Sequence, residues 1–97
     1  VIRSFVNRGT EDVFNGVDSR LARRTCPRAV WDVARRKLDQ LDATVTLGAL
    51  RVPPGNQLEA LKGDRRGQYS IRINSQFRVC FSWSGTGPRD VEIVDYH

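Results

Sequence analysis

Tyr69 to Trp83 read YSIRINSQFRVCFSW, and the fold turns on how that stretch divides. Apolar side chains recur at every second position, first Tyr69, Ile71 and Ile73, then Phe77, Val79, Phe81 and Trp83, which is the period of strands with one buried face. Asn74, Ser75 and Gln76 between them make a hairpin-length loop. A three-residue loop pairs Ile73 with Phe77 and Ile71 with Val79, keeping apolar opposite apolar. The same register sets Arg72 against Arg78 on the other face. Like charges directly opposite in a sheet destabilise it, so an anion between these two arginines would relieve a conflict built into the hairpin.

Working outward, QLEAL (Gln57–Leu61) and VEIVDY (Val91–Tyr96) are two further strand candidates. They are joined to the hairpin by KGDRRGQ and SGTGPRD, both short enough for antiparallel connections. Pairing the last strand so that Phe81 meets Ile93 sets Cys80 opposite Val94 and Arg78 opposite Tyr96. Arg72, Arg78 and Tyr96 are then expected to form one lateral row. Strict alternation turns Asp95 and His97 the other way, so the strand is expected to end or twist after Val94 and the tail to curl around the sheet edge.

The first half carries the helices. VIRSFV alternates as a short strand that Gly9 ends, and Thr10 is the expected N-cap of a helix with Glu11 and Asp12 in its first turn and Gly16 at its close. DSRLARRTC is a basic connector or another short helix. From Pro27 onward, Val30, Ala34, Leu38 and Leu41 recur at helical spacing, predicting one helix over 27–43. Arg28, Arg35, Arg36 and Lys37 fall mainly off that stripe, as a solvated face would. Leu47 to Leu50 add a turn, and Pro53-Pro54-Gly55-Asn56 stops any helix. The pattern predicts an α+β domain over residues 1–97, a mostly antiparallel sheet of four to five strands with two or three N-terminal helices on one face.

Ninety-seven residues suffice for one modest core. Sixteen Lys and Arg against eleven Asp and Glu give a formal charge of +5, and because only Lys37 and Lys62 are lysines, the excess is guanidinium, the group that grips phosphate bidentately. That balance favours an anionic partner and suggests phosphate recognition, although high-GC coding gives the same arginine bias. Cys26 and Cys80 make no disulfide framework or thiolate cluster, and a single His leaves no zinc constellation, so neither metal nor cofactor is expected. No signal h-region and no apolar run of membrane-spanning length is visible, which points to the cytoplasm and away from membranes.

The chemistry-bearing residues gather late in the chain. His97 has an imidazole that both accepts and donates protons near neutral pH. Asp95 can orient it or act as the base, and Tyr96 can stack on a base or bond a phosphate oxygen. The Lys62, Arg65 and Arg66 loop lies next to the Arg72 strand and can neutralise further phosphates. Read blandly, the same residues are a frayed end and a solvated hairpin.

VIRSF, the block PPGNQLEALKGDRRGQYSIRIN, QFRVCFSW and the closing VEIVDYH together resemble HigB-type toxins of the RelE superfamily, in the same order over nearly the whole chain. Only Asp18 to Pro27 stands apart. The resemblance implies a RelE-like fold and a metal-independent mRNA endoribonuclease that works on the ribosome. It also implies a helix-turn-helix, HigA-type antitoxin as partner, with operator DNA reached only through that antitoxin. It assigns Asp95, Tyr96 and His97 to the active site, with Arg78 as the sheet arginine and Lys62 as the loop lysine. Some members carry a histidine where this chain has Glu59, which leaves Glu59 either an acid-base group or a partner of a neighbouring cation. Two rival functions remain on the same fold: a non-catalytic RNA- or ribosome-binding protein, and a plain interaction domain that docks an antitoxin.

Overall fold

The computed structural model describes residues 1–96. Three helices come first: α1 (Arg8–Asn15), α2 (Arg20–Thr25) and α3 (Arg28–Ala43). Four strands follow, β1 (Glu59–Ala60), β2 (Gln68–Arg72), β3 (Phe77–Ser84) and β4 (Gly87–Asp95), and they form one antiparallel sheet in the order β1-β2-β3-β4. Short 3-10 turns at Leu47–Arg51, Pro54–Asn56 and Gly63–Arg65 fill the connections. The α+β class and the one-sided helix layer are as the periodicity predicts.

The helices lie where sequence spacing puts them, but their caps differ. Asn7, not Thr10, caps α1, its side chain accepting from the Thr10 amide at 2.9 Å. Thr10 is instead fully buried, and its hydroxyl accepts from the Ile93 amide at 3.1 Å, tying the helix to β4. Gly9 does not end a strand; it lies inside α1 against α2, where a Cβ would stand 2.6 Å from the Leu21 carbonyl oxygen. Only glycine permits that approach. Gly16 does close α1, in a left-handed conformation with φ 75°. Pro27 caps α3, and Ala34, Leu38 and Leu41 on its stripe are fully buried.

Those side chains meet Ile71, Val79, Phe81, Val91 and Ile93 from the sheet, while Tyr69 and Trp83 pack at the margin. The β2/β3 register is the one the three-residue loop demands, with Ile71 opposite Val79 and Arg72 opposite Arg78.

Two expectations fail at β4. Gly87 to Asp90 belong to the strand, so the turn shrinks to Gly85-Thr86, and Phe77, Arg78, Val79 and Cys80 pair with Asp95, Val94, Ile93 and Glu92. The predicted register is therefore two residues out. The cause is local: the tight turn starts the ladder earlier, and a bulge between Cys80 and Ser82 absorbs one residue, with Asp90 at φ 51°. The strand also continues through Asp95 and does not stop after Val94. The leading VIRSFV is not a full strand. It runs beside the bulge with a single parallel bridge, Phe5 to Val91, flanked by Val91 N–H to Ser4 O at 3.0 Å and Val6 N–H to Val91 O at 3.0 Å.

Candidate active site

Strand alternation sends Ser70, Arg72, Arg78, Cys80 and Glu92 to the face away from the helices. Their centre is Arg78. It is 8% exposed, its Nε donates to Ser70 Oγ at 2.8 Å, and its Nη2 donates to the Gln57 carbonyl at 2.6 Å. Gln57 can turn its carbonyl inward because its backbone is left-handed, φ 46°, as the chain leaves the Pro54–Asn56 turn.

Tyr96 does not sit across from Arg78; Val94 does. The tyrosine is two residues further on, held by its amide to Gln76 O at 2.6 Å, and its ring reaches back so that Arg78 Cζ stands 5.4 Å from the ring centroid. That distance is within cation–π range. The expected row is thus recovered on the diagonal, because the two-residue register error preserves the face. The Tyr96 hydroxyl lies 3.5 Å from Glu59 Oε1, a long contact that still links the tail to β1.

Asp95 pairs with Phe77 across the ladder and accepts from Gln76 Nε2 at 3.1 Å, so alternation keeps it off the Arg78 face. His97 lies outside the described residues. Lys62 and Arg66 are exposed and line a shallow hollow with Leu61 and Gly63. Arg65 turns inward, donating from Nη1 to Gln68 Oε1 at 3.0 Å and from Nη2 to Glu92 Oε1 at 3.2 Å. Arg72 flanks Arg78 on β2.

Sequence reasoning passes over Ser70, Gln57, Glu92 and Gln76. Alternation from Arg72 already places Ser70 on this face, and correct pairing of β4 would have put Glu92 beside Cys80. No pattern announces a backbone carbonyl such as that of Gln57. The charges converge around Cys80: burial pushes its thiol up, Arg65 and Arg78 pull it down, and Glu92 and Glu59 push it up. It is a buried neutral thiol at the floor of the site, not a nucleophile. Among the described residues no three His, Cys, Asp or Glu side chains converge to hold a metal ion.

The decisive electrostatic fact concerns Arg78. Its partners, a serine hydroxyl, a peptide carbonyl and an aromatic face, are all neutral, and among the described residues no carboxylate pairs with it. A largely buried guanidinium so placed keeps its full charge available to an incoming anion.

The site thus sits on a small antiparallel sheet with helices on one face and a largely buried arginine set into the other. The same fold is found in the toxin–antitoxin complex YoeB–YefM from Staphylococcus aureus (TM-score 0.61, 18% identity, covering 100% of this chain and 98% of that one). It recurs in the YoeB/ParE toxin from Agrobacterium tumefaciens (TM-score 0.52, 22% identity, 98% and 99%). The model of the HigB-like toxin family, the RelE-like toxin of the type II toxin-antitoxin system HigB, matches residues 3–97, and the chain belongs to that family. It is 43% identical over 60 residues to Toxin HigB-1 of Vibrio cholerae, 62% of this chain and 63% of that protein. A protein of Haemophilus influenzae described as uncharacterized is 39% identical over 57 residues, 59% of this chain and 56% of that one. Each matched stretch thus spans less than two thirds of the relative's own length.

Proposed function

We propose that the chain is the toxin of a type II toxin-antitoxin module and an endoribonuclease that cuts messenger RNA on the ribosome. The observation that carries this reading is Arg78, a largely buried guanidinium with neutral partners, roofed by Tyr96 and flanked in register by Arg72. In-line attack by a 2′-hydroxyl on the adjacent phosphodiester forms the 2′,3′-cyclic phosphate and breaks the bond to the 5′-oxygen. Arg78 stabilises the charge that grows on the phosphorane, with Lys62 as a second cation from the loop. His97 takes the 2′-hydroxyl proton and Tyr96 returns a proton to the leaving oxygen, while Asp95, turned to the other side of the strand, takes no part in the proton transfers. Glu59, in reach of the Tyr96 hydroxyl, orients that phenol.

Arg72 and Arg66 hold neighbouring phosphates, while Arg65, paired with Glu92, serves as cover beside them. General acid-base help supplies about 10² to 10⁴ in rate, so a site this sparse depends on the ribosome to align the strand. The proposed protein partner is a cognate helix-turn-helix antitoxin of the HigA type. In support, a structural neighbour of the chain was solved as a toxin–antitoxin complex, YoeB with YefM.

Primer extension on a translated message tests the reading. Cuts that require ribosomes, survive EDTA and vanish in His97→Ala at matched expression are expected. Salt-steep RNA binding with no cleavage would sink it in favour of a non-catalytic RNA-binding protein.

A further inference from the structure

Behind the Arg72–Arg78 pair, around the end of β2, the surface dips into a groove of about 320 Å³ between α3 and the Pro53–Asn56 turn. Arg36, Lys37, Gln40 and Arg72 line it, with Val33 and Pro53 as apolar wall. The groove is built, not incidental. Asn56 is fully buried behind its lining, donating to Gln40 Oε1 at 3.0 Å and to Leu50 O at 3.1 Å while accepting from Lys37 Nζ at 2.5 Å. One buried amide therefore sets the position of two lining side chains.

Lys37 is half-buried, so it does not belong to the plain solvated face that helical spacing suggests. Desolvation and the neighbouring Arg36 both lower its pKa. Among the described residues no carboxylate lies within ion-pair distance of Arg36, Lys37 or Arg72; the acids near other cations are spent on Arg8, Arg23, Arg28 and Arg65. Three uncompensated cations facing one concavity repel each other, and a bound polyanion removes that cost.

We propose that this groove is an RNA-backbone subsite separate from the cleavage centre, holding a phosphate and its nucleoside some way along the strand from the bond that is cut. The inference rests on the RNA-cleaving reading and extends it. Arg72 is the link, because it stands beside Arg78 on the sheet face and also lines the groove. A strand crossing Arg78 and Arg72 continues onto Lys37 and Arg36, with the sugar or base against Val33 and Pro53. An RNA strand fits this better than a lone anion, since the cations run continuously from one site to the other.

Fluorescence anisotropy with an uncleavable 2′-O-methyl RNA hexamer and the matching dimer, over a salt titration, decides the matter. The double variant R36A/K37A should lower the hexamer's salt slope by about 0.7, as expected for one single-strand phosphate contact, and leave the dimer unchanged. Arg36→Glu, which leaves the Lys37–Asn56 contact in place, should weaken the hexamer by at least the same factor. R78A should weaken both oligomers, and the charge-matched R3A/R89A at the far hairpin should spare both. A hexamer slope untouched by R36A/K37A but lowered by R78A overturns the groove and leaves the RNA reading standing. An equal effect from R3A/R89A overturns it in favour of diffuse charge. No binding of either oligomer by the wild-type chain removes both readings together.

Discussion

The two faces of β3 are buried by different means. Phe77, Val79 and Phe81 are covered by the helices and by apolar neighbours on β2 and β4, whereas Arg78 and Cys80 are covered by Tyr96, the Gln57 carbonyl and the Arg65–Glu92 pair. On the first face burial brings its own stabilisation, because apolar area leaves water. On the second it desolvates a cation and a thiol, and each needs a partner. The helix face holds the fold together; the other face holds charge in readiness under a cover of a few side chains.

The comparison breaks most visibly at Phe81. Phe81→Ala should destabilise the chain by about 3–5 kcal/mol, the usual cost of emptying a fully packed aromatic position, and denaturant unfolding measures it. A loss well under 1 kcal/mol would mean that the helix face is not the stabilising one. Next comes Arg78→Ala, with an expected fall in cleavage of about 10² to 10³-fold, as for loss of an oxyanion donor, in a chain that still unfolds cooperatively. Similar losses from Arg35→Ala would dissolve the distinction between a placed charge and a diffuse one.

Glu59→Gln should be nearly silent, within a few-fold of wild type in single-turnover cleavage on programmed ribosomes. Among the described residues its side-chain hydrogen bond is the long one to Tyr96, and an exposed polar contact contributes about 0–1 kcal/mol. A hundredfold loss would make Glu59 an acid-base group.

The subtlest test uses the Cys26 thiol. Burial raises Cys26 from 9.0 to about 11. A thiol raised in the folded state stabilises it fully below the unfolded value, and that contribution drains away as pH climbs through the window up to about 11. Stability of wild type relative to Cys26→Ala should therefore decline between pH 9 and 11. Parallel curves would show Cys26 to be solvated.

How much of this was legible depended on whether a signal was local. The β2/β3 register followed from a loop of fixed length and two runs of alternating residues. The β3/β4 register did not, because Ser84-Gly85-Thr86-Gly87 offers several turns and the bulge at Asp90 depends on Ser4, which accepts from the Asp90 amide. Asn7 and Thr10 are both good caps; the choice was made by Ile93, whose amide needed an acceptor. Arg78 and Tyr96 were correctly placed on one face since a shift of two residues conserves the side. Glu92 escaped notice for the same register error, and the Lys37 groove because Asn56, which holds Lys37 and Gln40 in place, comes from another element.

The bulge carries a further consequence, for the order of events in folding. Ser4 and Asp90 meet across a separation of 86 positions, and Phe5 bridges Val91. Contacts so distant along the chain close late and slowly, since the loop entropy must be met before they contribute. On a chain made from its N-terminus, the leading segment has no edge to join until β4 has emerged. Tyr96, held in place just beyond β4, arrives later still. Arg78 therefore gains its aromatic cover only once β4 is in place, and a chain synthesised short of β4 carries the charge without the site.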